Sequence, residues 1–136
     1  MNYPITSATM MQELGRKIAA QYRYVSLAGG VGVGKTTCAS GLVQGRGYQG
    51  EVTSPTYALM QVYGDKIVHC DMDRLGSADE MIARGIYDAI NECAFCIVEH
   101  PKWVDMYADD SWLHLTLMRN GDVRYIVGLP PGFVIR

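Results

Sequence analysis

Residues 25–42, VSLAGGVGVGKTTCASGL, pass from an apolar run through four glycines, at 29, 30, 32 and 34, to a lone lysine and a helix-like stretch. Glycine adopts backbone angles closed to other residues and leaves no side chain in the way. Its density here suits a backbone that a ligand approaches closely, and Lys35 makes that ligand negative. Gly29-x-x-x-x-Gly34-Lys35-Thr36 fits G-x-x-x-x-G-K-[S/T], the P-loop. Successive N–H groups of such a loop point inward at phosphate oxygens, and the helix that begins near Lys35 adds its positive dipole end. Lys35 then reaches the β- and γ-phosphates, and the Thr36 hydroxyl can ligate Mg²⁺. The competing readings are a dinucleotide fingerprint, whose G-x-G-x-x-G spacing is absent, and a flexible glycine-rich turn. The loop is read as holding a nucleoside triphosphate.

Composition bounds what the loop can serve. A chain of 136 residues, 49% hydrophobic, is read as one domain, 1–136. No apolar run approaches the roughly 20 residues of a membrane span. The N-terminus, MNYPITSATMMQE, lacks a signal peptide's basic-then-apolar plan, so a cytoplasmic location is expected. A formal charge of −2 with scattered Lys and Arg argues against autonomous binding to DNA or RNA. Cys93 and Cys96 form one C-x-x-C, but a zinc site needs further ligands, and the nearest is His100. The pair leads into the apolar run FCIVE, an ordinary setting for buried thiols.

Periodicity places the motifs. Thr9 with Gln12 is read as the cap of a first helix that buries Met11, Leu14, Ile18 and Tyr22. Residues 24–28 read as a buried strand, and 36–44 as a helix stopped by GRGYQG. YALMQVY (57–63) and KIVHCDMD (66–73), joined by Gly-Asp, read as a hairpin. Ser77 and Glu80 form a capping box for the helix ADEMIARG, and 95–99 is another buried strand. WLHLTLMR-NG-DVRYIV predicts a closing hairpin, 112–119 with 122–128, around an Asn-Gly type I′ turn. The expected fold class is α/β: a P-loop NTPase domain whose parallel core sheet (24–28, 67–71, 95–99) is extended by antiparallel strands.

Asp71 and Glu99 each end an apolar run. An acidic residue at the carboxyl end of a buried strand faces the crevice where α/β proteins bind ligands. One carboxylate can hold Mg²⁺ and the other can order an attacking water. The plain alternative is a strand-end carboxylate that caps a helix or meets solvent.

The segments GGVGVGKTT (29–37), SPTY (54–57), HCDMDR (69–74) and IVEHP (97–101) follow in a distinctive order. This series resembles the TsaE family of small ATPases, needed in bacteria for threonylcarbamoyladenosine modification of tRNA. LGRKIA (14–19) and the closing hairpin are similar too, so the resemblance spans nearly the whole chain. It implies a phosphate loop of Gly29, Gly30, Val31, Gly32, Val33, Gly34, Lys35, Thr36 and Thr37, with Thr36, Asp71 and Glu99 as the Mg²⁺ site. It implies a switch-like loop of Ser54, Pro55, Thr56 and Tyr57, in which Thr56 senses the γ-phosphate. ATP would be the substrate, Mg²⁺ the cofactor, and Asp71 and Glu99 the catalytic carboxylates. In this family the ATPase is weak alone and works with the TsaB and TsaD proteins, reaching tRNA through that assembly.

The chain departs from the family pattern at two positions, with Asp73 where a tyrosine is usual and His100 where a tryptophan is usual. Two further classes stay open beside this one. A small P-loop kinase would need an arginine-rich lid, and residues 74–100 offer only Arg74 and Arg84. A nucleotide-sensing module without hydrolysis would not need both carboxylates. Thr6 to Met11 near the base, and Arg124 near the site, are placements that no motif carries.

Overall fold

The computed structural model describes residues 2–30, 32–55 and 58–133. In chain order the elements are β1 (Asn2–Ile5), α1 (Ala8–Ala19), β2 (Tyr24–Ala28), α2 (Lys35–Gly45), β3 (Met60–Tyr63) and β4 (Ile67–Asp71). Then come α3 (Ala78–Ala83), α4 (Ile86–Glu92), β5 (Phe95–Glu99), a 3-10 turn (Val104–Met106), β6 (Trp112–Asn120) and β7 (Val123–Val127). The seven strands form one sheet in the order β1-β7-β6-β2-β5-β4-β3. Its four central strands, β6, β2, β5 and β4, are parallel. The flanks are antiparallel: β3 on β4, β7 on β6, and β1 on β7. The expected α/β class, with a parallel centre and antiparallel extensions, is what the chain adopts.

Every residue of β4 and β5 is buried, as in parallel strands covered on both faces. Alternation along the strands sends Val25, Leu27, Phe95, Ile97 and Leu115 to a layer shared with α1 and α2. Val68, Cys70, Cys96 and Val98 go to the other layer, with Met81 of α3 and Ile86 and Ile90 of α4. The crossing of α1 and α2 is unusually tight because it is built on glycine. A Cβ on Gly41 would stand 2.2 Å from the Gln12 carbonyl oxygen, and one on Gly15 would stand 2.6 Å from that of Cys38.

Four local expectations change. The first helix is capped by Ser7, whose hydroxyl accepts the Met10 N–H at 3.1 Å, so it starts before Thr9, and Tyr22 lies beyond its end. Ser7 is extended, as a capping residue must be, whereas Thr9 is already helical. β1 is an additional strand, four residues long, held by pairing with β7. After α3 the chain continues as α4, separated from it by Gly85 at φ 79°. In the closing hairpin Asn120 still pairs with Val123, so the loop is Gly121–Asp122. Positive φ there falls on Gly121 (63°) and not on Asp122, the requirement of a type II′ rather than a I′ turn. Among the described residues no helix is long and apolar enough to cross a membrane.

Candidate functional site

The glycine-rich segment leaves β2 and enters α2 at the carboxyl end of the parallel strands. Gly29 (φ 142°) passes so close to β6 that a Cβ would meet the Leu117 carbonyl oxygen at 2.4 Å. Gly32 (79°) and Gly34 (102°) also hold angles that side chains disfavour. Gly34 caps α2 without a side-chain acceptor, and the first intrahelical bond runs from Cys38 N–H to the Gly34 carbonyl at 2.9 Å. The amides of Lys35, Thr36 and Thr37 in the first turn are thus left by the helix for an outside acceptor. Lys35 Nζ donates to the carbonyls of Gly29 and Gly30 at 2.6 and 2.8 Å. Arg124 on β7 donates through Nε to the Gly32 carbonyl at 3.2 Å.

A cavity of about 580 Å³ opens on this segment. The loop and α2 contribute Gly30, Gly32, Gly34, Lys35, Thr36 and Thr37, and the ends of β4 and β5 contribute Asp71, Asp73, Glu99 and His100. Ser54 and Arg124 complete the lining. Val33 and Pro55 are buried instead. Val31, Thr56 and Tyr57 lie outside the described residues. A smaller cavity of about 120 Å³ shares Gly34, Thr37 and Arg124 and is otherwise lined by Ile5, Ser7, Ala8 and Met11. The two positions at which the chain departs from the pattern of the family it resembles, Asp73 and His100, both line the larger cavity.

Asp71 and Glu99 are register partners on neighbouring parallel strands, so their backbones stand about 4.8 Å apart and their side chains leave the same face. Each is only 2% exposed. That is the face on which α2 packs, which brings 28 positions of sequence separation (71 to 99) to adjacency. Asp71 Oδ1 accepts the Asp73 N–H at 2.9 Å. Glu99 Oε2 lies 2.5 Å from Nε2 of His69, a fully buried residue whose Nδ1 has no partner among the described residues. Backbone bonds lock the strand ends together: Met72 N–H to the Glu99 carbonyl at 3.1 Å, and His100 N–H to that of Leu27 at 3.0 Å. The negative field of the pair reaches the core. Burial first, and the Glu99 charge second, push the Cys38 thiol up to about 12. Burial, then Asp71 and Glu99, raise Cys70 in the same way.

The donor set fits a hard divalent cation. The Thr36 hydroxyl and two carboxylates offer oxygen donors, and Mg²⁺ takes one or two carboxylates together with phosphate oxygens rather than an all-protein cage. No three His, Cys, Asp or Glu among the described residues are grouped to hold a metal unaided. Cys93 and Cys96 are buried free thiols in the layer of α3 and α4, across the sheet from the loop. A hydrogen bond from Cys96 is the main influence that lowers the Cys93 thiol, with Arg23 adding to it. His69, the residue that touches Glu99, lies within the quoted HCDMDR but was given no role from the sequence. Its signal was parity, since it precedes Asp71 by two positions on one strand and therefore shares its face.

The chain is similar to known proteins in sequence and in fold. Residues 5–126 match the profile of the family described as Threonylcarbamoyl adenosine biosynthesis protein TsaE. The tRNA threonylcarbamoyladenosine biosynthesis protein TsaE of Haemophilus influenzae is 44% identical over 78 residues, which are 55% of this chain and 49% of that protein. The protein of the same name from Streptomyces coelicolor is 45% identical over 80 residues, 52% of this chain and 54% of that one. This chain thus spans about half the length of these curated relatives. A crystal structure of YdiB from Bacillus subtilis superposes with a TM-score of 0.69 at 22% identity, covering 93% of this chain and 82% of that one. That likeness concerns the fold. With the family profile spanning nearly all of the sheet and every described wall of the cavity, the chain belongs to the TsaE family.

Proposed function

We propose that this chain binds ATP with Mg²⁺ and hydrolyses it as a component of the tRNA threonylcarbamoyladenosine machinery, acting with TsaB and TsaD in the cytoplasm and meeting tRNA through that complex. The observation that carries the reading is the pairing of Asp71 with Glu99 in register, opening on the same cavity as the P-loop. Its support from relatives is their shared name in threonylcarbamoyladenosine biosynthesis.

In this reading the amides of residues 30–37 and Lys35 bind the phosphates, and Lys35 exchanges its carbonyl contacts for phosphate oxygens. Thr36, Asp71 and Glu99 hold the Mg²⁺, which neutralises charge developing on the phosphates. Glu99 also orients the attacking water. The loop Ser54–Tyr57 follows the γ-phosphate, and the smaller cavity beside Met11 accommodates the base. A cation between two neighbouring carboxylates would offset the repulsion between their charges.

The test is ATP turnover by Glu99→Gln in the presence of TsaB and TsaD. A fall of about a hundredfold or more is expected, with ATP binding by calorimetry retained and tRNA modification lost. Wild-type turnover from Glu99→Gln would defeat the assignment.

A further inference from the structure

His69 does not line the cavity and is completely buried, so it meets no ligand. It occupies the middle of β4 between Gln61 on β3 and Ile97 on β5, with the Tyr63 ring 6.1 Å from its own. A carboxylate only accepts, so in the 2.5 Å contact Nε2 donates to Glu99 Oε2. Nδ1 has no partner among the described residues. An orphaned buried nitrogen is a cost that a leucine at this position would not incur. Stability therefore gives no reason for a histidine here. The bond does. Glu99 turns about three side-chain torsions, and pinning one oxygen leaves the other as the oxygen available to the cavity.

We infer that His69 is a positioning residue that fixes the carboxylate of Glu99 toward Thr36 and the phosphates. The inference rests on the proposed ATPase reading of Glu99 and adds a residue to it. The variants His69→Gln and His69→Asn test it. Glutamine carries an amide nitrogen at the place of Nε2, whereas asparagine, one bond shorter, carries it at the place of Nδ1 and falls short of Glu99. Both bury the same polar group.

With TsaB and TsaD present, His69→Asn is expected to lower kcat for ATP hydrolysis about ten- to a hundredfold. KM and calorimetric ATP affinity should move less than about threefold, and His69→Gln should keep kcat within about threefold. In a Glu99→Gln background, His69→Asn should add less than about a twofold loss, because the group it acts through is already gone. Equal losses in both variants, tracking a fall in Tm, would reduce His69 to core packing and overturn the inference. So would a faster His69→Asn enzyme, or a full multiplicative loss on top of a crippled Glu99→Gln. Wild-type hydrolysis by Glu99→Gln alone is a different result, and it defeats the proposed function instead. If His69→Asn does not fold, His69→Leu carries the same comparison.

Discussion

Lys35 is the residue whose present contacts are most informative about its role. Its ammonium is held by two carbonyls of its own loop, at 2.6 and 2.8 Å, and has no carboxylate partner among the described residues. A cation paired only with neutral dipoles is ready to exchange them for an anion. Lys35→Ala is expected to remove about 1.5–3 kcal/mol of charge-assisted bonding and weaken ATP binding about ten- to a hundredfold, measured by calorimetry. Unchanged affinity would refute the assignment. At this scale the sequence was legible wherever a residue's type was out of place. A lysine among glycines is one such residue, and an acid closing an apolar strand is another. His69 was not legible, because a lone histidine inside IVHCD reads equally well as a packed core residue. Asp73 and His100 could be named as departures, but their placement in the cavity needed the fold.

Helices and strands were legible where the apolar period was long enough to count. β2, α2, β4 and β5 fall within a residue of expectation. β1 has only four residues and owes its existence to β7, a partner that no local pattern announces. The turn of the last hairpin slipped by one position because register across β6 and β7 is also set by which side chains must face inward, Leu117 opposite Ile126. The α1–α2 seam was invisible for a related reason, since glycine carries no periodic signal. It supports a prediction: Gly41→Ala should destabilise by about 1–3 kcal/mol through overpacking against Gln12, although alanine favours helix. Gly76→Ala, where a Cβ meets nothing within 4 Å, should be neutral or stabilising by up to about 1 kcal/mol. Urea titrations of the two variants would separate them, and equal midpoints would show that the seam yields.

The molecule as a whole gathers its site from five separate segments: the loop after β2, Ser54, and the ends of β4 and β5, with Arg124 reaching in from β7. A ligand that bridges them binds the folded chain alone. ATP with Mg²⁺ at about a hundred times its dissociation constant is therefore expected to add about 2.7 kcal/mol of stability and raise Tm by on the order of 10 °C. Lys35→Ala should show much less at the same concentration, and a wild-type Tm that ignores ATP would contradict the site. The pairing of the first strand with the last has a different consequence, for synthesis on the ribosome. Ile5 pairs with Arg124, about 120 residues later. At about 5–20 residues per second, β1 is made some 6–24 seconds before its partner exists. β6 too is made late, and until it exists the flank of β2 from which the glycine-rich loop springs has no neighbour on that side. A nascent chain halted before residue 112 thus carries the loop but not the strand whose Leu117 carbonyl packs against Gly29. The proposed site is therefore complete only once β6 has been made.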